Sequence, residues 1–197
     1  MKSNTRTVCR VALLIGGLAW IAFAILANAK PVGCVGAECA TRLMRDTGDI
    51  DMLLLTGALL ISGSLLALAL QARGANRSST LWRIGAASAT IASIGLLGAS
   101  VAAPDSDVAW TLVVFPSMVA LVLGLAVSGI GIARAKALPP VAGVLISVSA
   151  LALFGANDQD ARVLLCIPIG LAVIATGLLA LRATTPTSLG MRLASLK

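Results

Sequence analysis

The chain has 197 residues, of which 58% are hydrophobic and 12% charged, with a formal net charge of +7 and a mean hydropathy of +1.00. A soluble domain carries about 25% charged residues, so this composition argues against a free globular enzyme and for a chain solvated by lipid. Histidine and tyrosine are both absent, which excludes histidine-ligated haem, histidine metal sites, imidazole acid–base catalysis and tyrosyl chemistry.

The apolar residues fall in long uninterrupted runs, the pattern of bilayer spans. Residues 1–29 open with Lys2, Arg6 and Arg10 and contain an apolar run over 11–28. Ala27-Asn28-Ala29 has the form of a signal-peptidase site. The run exceeds the 7–15 residues usual for a signal peptide, so it is read as a retained first span. Further runs without Asp, Glu, Lys or Arg cover 52–72, 84–103, 108–133, 139–157 and 163–181. Each is near the ~20 residues that cross a ~30 Å hydrocarbon core as a helix. The expected fold is therefore all-α: one membrane domain over 1–197 with six spans, a loop at 30–51 and a tail at 182–197. Pro139 and Pro140 suit the first turn of the fifth helix, where no amide donor is needed.

Charge sets the direction. Lys2, Arg6, Arg10, Arg73, Arg77, Arg83, Arg134, Lys136, Arg182, Arg192 and Lys197 fall on one side of these spans, and only Lys30, Arg42, Arg45 and Arg162 on the other. The positive-inside rule then predicts both termini in the cytoplasm. Every acidic residue lies on the outer side, and Trp82 and Trp110 sit at span ends as interface anchors. The positive charge is thus explained by topology and by anionic lipid head groups, with no nucleic-acid partner expected.

The spans read as three hairpins. Each returning span opens with an Asp-x-Asp element: Asp49 and Asp51, Asp105 and Asp107, Asp158 and Asp160. Each also carries a small pair, Ser62-Gly63, Ser128-Gly129 or Thr176-Gly177, and ends near Arg73, Arg134 or Arg182. Pro116 and Pro168 stand at similar depth in the last two returning spans and are expected to bend them. This pattern suggests duplication of a helical hairpin. The plain role for the aspartates is to cap helices whose N-termini are electropositive. The sharper role is a carboxylate ring that holds a hard cation on the outer face. No cofactor is expected.

Small residues recur four apart: Ala12 and Gly16; Ala58 and Ser62; Gly85, Ala89 and Ser93; Gly124 and Ser128; Gly143 and Ser147; Ala172, Thr176 and Ala180. Such rows let helices pack tightly in lipid, against each other, a second copy or another membrane protein. In the outer loop, Cys34 and Cys39 are close enough in sequence to predict a disulfide. Cys9 and Cys166 are isolated, and Cys166 reads as a small apolar filler. The stretch from Ser188 onward could form a short surface helix.

The segment Phe154 to Ala172, with its Asn157-Asp158-Gln159 element before Arg162-Val163-Leu164-Leu165 and Ile167-Pro168-Ile169-Gly170, and the Gly33-Cys34-Val35-Gly36 segment resemble small bacterial six-span integral membrane proteins. The resemblance implies the same architecture and a bacterial cytoplasmic membrane, and it transfers no activity or site residue. With uncharged spans and no catalytic constellation, the first expectation is a non-enzymatic accessory, assembly or sensor-like component. The second is a small transporter or channel using the outer carboxylates. The third is a lipid-acting membrane enzyme.

Overall fold

A computed structural model describes residues 2–35, 39, 43–74, 79–102, 107–135 and 137–182. All regular structure among them is helical. We label the principal helices α1 (Lys2–Ala29), α2 (Asp51–Gly74), α3 (Thr80–Ala102), α4 (Phe115–Arg134), α5 (Pro140–Ala152) and α6 (Cys166–Arg182). A short turn (Asp107–Ala109) and a π-helical segment (Trp110–Val114) lead into α4. A 3-10 turn (Leu153–Gly155) ends α5, and another 3-10 segment (Ala161–Leu165) leads into α6.

Five of the helical stretches are long and apolar enough to cross a membrane: Asn4–Ala29, Asp51–Arg73, Thr80–Ala102, Trp110–Arg134 and Ala161–Ala180. Such segments satisfy their own backbone hydrogen bonds, which is what lipid demands. The run expected over 139–157 differs. Its apolar helix, Pro140–Gly155, falls short of 18 residues. At ~1.5 Å per residue it covers about 24 Å of a ~30 Å core. Leu153–Gly155 tightens into a 3-10 turn and Ala156 is extended, so the end of that run caps the bundle instead of continuing the helix.

The surface supports a lipid environment. Ile91 is 71% exposed, Leu112 70% and Val148 64%, a distribution that in water would mark a large sticky patch. The interior is equally apolar, with Leu13, Ile61, Leu65, Leu125, Ile146 and Ile169 fully buried.

Neighbours along the chain pack against one another, and α1 packs against α6, so the helices form a closed ring. The ring closes by very close backbone approach. A Cβ placed on Gly16 would stand 3.0 Å from the Gly57 carbonyl oxygen, and one on Gly57 3.0 Å from that of Gly16. The same reciprocity joins Gly17 with Gly170 (2.7 and 2.8 Å) and Gly85 with Gly124 (2.6 and 2.8 Å). Gly129 and Gly143 meet the same way between α4 and α5. Since lipid offers no hydrophobic drive for helix association, such close van der Waals packing has to supply it. Between α2 and α3 the contact is polar instead, with the Ser62 and Ser93 hydroxyls 3.1 Å apart. Ser147 donates across to the Ala126 carbonyl at 2.9 Å, and Ser79 to the Gly131 carbonyl at 2.8 Å.

Both prolines act on the helix geometry ahead of them. A proline lacks an amide donor, and its ring presses on the carbonyl four residues earlier. Upstream of Pro116 the chain widens to π-helix, and the Phe115 amide donates to the Trp110 carbonyl. Upstream of Pro168 it tightens to 3-10 helix before α6 begins at Cys166. Each proline therefore moves a helix-type boundary; Pro116 stands at the start of α4, not in its middle.

Candidate functional site

The described residues of 30–50 and those of 156–160 meet at one end of the bundle, here called the loop end. Cys34 and Cys39 form a disulfide there, with Cα atoms 4.8 Å apart, as the sequence predicts. Beside it, Gln159 is 6% exposed and Arg45 7% exposed. The Arg45 amide donates to Gln159 Oε1 at 2.5 Å, and the Gly33 amide donates to the Gln159 carbonyl at 2.8 Å. The Arg45 guanidinium donates to the carbonyls of Pro31 at 2.9 Å and Asp158 at 2.8 Å, with a longer 3.4 Å contact to that of Asp160. Gly33 has to be glycine here, because a Cβ would fall onto Gln159 Oε1 and the Arg45 amide. The two sequence segments that carry the resemblance thus grip each other.

Under this latch, the ring opens into a cup of about 670 Å³ to which every helix or its adjoining turn contributes. Its wall is apolar: Leu54, Leu55, Leu96, Leu121 and Val163, with Trp20, Phe23 and Trp110 as aromatic members. Trp20 is fixed by its indole N–H, which donates to the Leu54 carbonyl at 2.9 Å. Asp51, Asp158, Asn157 and Ser100 add polar groups near the loop end. Cys166, a buried free thiol, also lines the wall. The Asn157 side chain accepts from the Gln159 amide at 2.9 Å, which shapes the turn that carries Asp158.

The Asp-x-Asp elements divide their work. Asp49 is paired with Lys30, whose ammonium also donates to the Asp46 carbonyl; the hydrogen bond from Lys30 holds the Asp49 carboxyl below the usual carboxylate range. Asp160 caps the 3-10 segment by accepting from the Arg162 amide at 2.8 Å, and it also binds the Arg162 guanidinium at 2.8 Å. That amide first, and the guanidinium after it, keep the Asp160 carboxyl ionised to lower pH than an ordinary carboxylate. Asp51 and Asp158 turn to the cup instead, close enough for their charges to repel. In these two pairs one carboxylate faces the cup while the other meets a cation. Asp105 and the Asp107 side chain lie outside the described residues, as do 183–197. Among the described residues no group of three or more His, Cys, Asp or Glu side chains is placed to hold a metal ion.

Arg45, Gln159 and Gly33 hold the site in place, yet nothing in their local sequence marks them as partners of one another. Gln159 is the x of an Asp-x-Asp element, and its partner lies 114 residues away. Trp20 reads in sequence as one more apolar residue of a span. No protein-family model, curated protein or solved structure matches the chain.

Proposed function

We propose that the chain is a six-span protein of the bacterial cytoplasmic membrane, with both termini cytoplasmic. In this reading its cup opens to the outer side and receives a small amphiphile, which makes the protein a non-enzymatic, sensor-like component. The observation that carries this reading is the cup itself. Every ring helix or its adjoining turn frames it, it falls within the ~300–1,000 Å³ of ordinary ligand sites, and its wall joins apolar surface to a few polar groups.

The cup is blind. Towards the other end, Leu65, Ala69, Ile132, Val173 and Thr176 are nearly or fully buried in packed contact. This favours a receptor over an open channel. Arg10, Arg73, Arg83 and Arg134 lie towards that same end, which fits the cytoplasmic face and anionic lipid head groups there. The contribution of Trp20 and Phe23 to the cup favours a retained first span. A transporter is the second reading, favoured by the π-helical segment on the cup wall (Trp110 and Val114), since such segments often mark functional sites.

The test has two arms. In spheroplasts, an impermeant thiol reagent should label Ala161→Cys directly and Thr80→Cys only after permeabilisation. In detergent, the neutral probe triphenylphosphine oxide should bind the wild type and should bind the cup-filling Ala99→Phe variant at least about tenfold more weakly, a loss of ~1.4 kcal/mol. Labelling of both cysteines from one side would overturn the threading, and equal binding by the two proteins would overturn the cup.

A further inference from the structure

We infer that the cup selects a lipophilic cation: an amine or onium group carried on an apolar body. This rests on the reading of the cup as a ligand site and adds the chemical class of the ligand. Four features of the wall converge on it.

First, the cup presents two carboxylates, Asp51 and Asp158, and among the described residues of its wall no lysine or arginine. Among the described residues, the basic side chains at the loop end have other partners: Lys30 has Asp49, Arg45 backbone carbonyls, and Arg162 Asp160. A bound anion would meet two carboxylates and, among the described residues of the wall, no cationic side chain to hold it. Second, most of the wall is hydrocarbon, so a small hydrated cation would gain little from entering. Calcium takes about six to eight oxygen ligands, and magnesium an octahedron that keeps several waters; no described acidic cluster is placed to hold a metal ion. Third, a neutral apolar ligand would strip water from two mutually repelling carboxylates, of which Asp51 keeps a hydrogen bond from Thr47, and the remaining loss is costly. A cation seated between them removes that penalty. Fourth, Trp20, Phe23 and Trp110 supply aromatic rings, which attract cations and are the usual companions of carboxylates around onium groups. Trp20 and Phe23 come from α1, Asp51 from α2, Trp110 from the π segment, and Asp158 from the latched turn. The site is therefore assembled by the tertiary fold and not by one local motif.

The test compares three probes of similar shape on the detergent-solubilised protein by isothermal titration: tetraphenylphosphonium, triphenylphosphine oxide and tetraphenylborate. The expected order is cation over neutral oxide by at least about tenfold, with the borate weakest. Asp51→Asn with Asp158→Asn should bring the cation's affinity down to that of the oxide. Asp158→Asn alone should remove part of the preference, and this exposed position keeps the test open if the double variant does not fold. Asp46→Asn, a carboxylate outside the cup, should leave the preference intact. Equal binding of cation and oxide to the wild type, or a preference that survives Asp158→Asn undiminished, would overturn the cation assignment while leaving the cup as a ligand site. Failure of every probe to bind would overturn both.

Discussion

Gly131→Ala should destabilise the solubilised protein by about 3 kcal/mol, the upper range for overpacking a tight interior, whereas Gly98→Ala should leave it unchanged or slightly more stable. A Cβ at position 131 would fall onto the backbone nitrogen and Cα of Trp82. Backbone cannot give way by changing a rotamer, and this stretch is pinned from several sides. The Trp82 amide donates to Ser79 Oγ at 3.1 Å, Ser79 donates in turn to the Gly131 carbonyl, and Ser128 reaches the Trp82 carbonyl at 3.3 Å. The added methyl therefore has to move α3 away from α4, and with it the Gly85–Gly124 contact further along the same interface. Gly98 lies on α3 as well, but a Cβ there meets nothing within 4 Å. The change at 98 only exchanges a poor helix former for a good one, worth up to ~1 kcal/mol in water. Reversible unfolding in mixed micelles, followed by circular dichroism, measures both. Equal stability of the two variants would mean that the glycine contacts do not hold the ring together.

The comparison of these two glycines shows where sequence reading ends. The rows of small residues on α3, α4 and α5 are visible as spacing, and they do mark faces that pack. The spacing does not say which row meets which, because any two small faces are compatible until the ring closes. Gly131 and Gly98 are indistinguishable on this basis. The apolar runs behave similarly: length and lack of charge were sufficient to read five membrane-length helices, but not that the run over 139–157 would stop short in a 3-10 turn. Pro116 and Pro168 were legible as sites of irregularity. The sign of the irregularity, wider before one and tighter before the other, depends on what each segment packs against.

The candidate site was half legible for a related reason. The Asp-x-Asp elements stand out, and capping is what Asp160 does. The sequence does not tell the two members of an element apart, so the division seen in the first and third elements, between a carboxylate paired with a cation and one turned to the cup, is invisible in it. That division requires knowing where the lumen of the ring lies. The disulfide was readable because its partners are five residues apart. The Arg45–Gln159 contact was not, because it joins the first loop to the last and leaves no periodic trace.

That contact carries the other large expected effect. Arg45→Ala should cost about 3 kcal/mol, the worth of one or two hydrogen bonds to a charged donor, once water has recovered part of the loss. It should also free the turn at 156–160. The Arg45 guanidinium is the donor for the Pro31, Asp158 and Asp160 carbonyls, and its removal leaves them without that partner in a largely buried place. Gln159 would keep its bonds to the Arg45 and Gly33 amides, so the latch should loosen and not vanish. Arg45→Lys keeps the charge but replaces a planar fork with a single point donor; it should restore less than half of the lost stability. Hydrogen exchange over 30–45 and 156–160 reads the local effect directly, and faster reduction of the Cys34–Cys39 disulfide gives a second measure. Because Asp158 sits on the freed turn, Arg45→Ala should also weaken tetraphenylphosphonium binding more than triphenylphosphine oxide binding. Arg45 touches no ligand in this account, and it acts by positioning the carboxylate. Unchanged exchange at 156–160 in Arg45→Ala would show that the turn holds its shape without the guanidinium. The link from the first loop to the cup would then be broken.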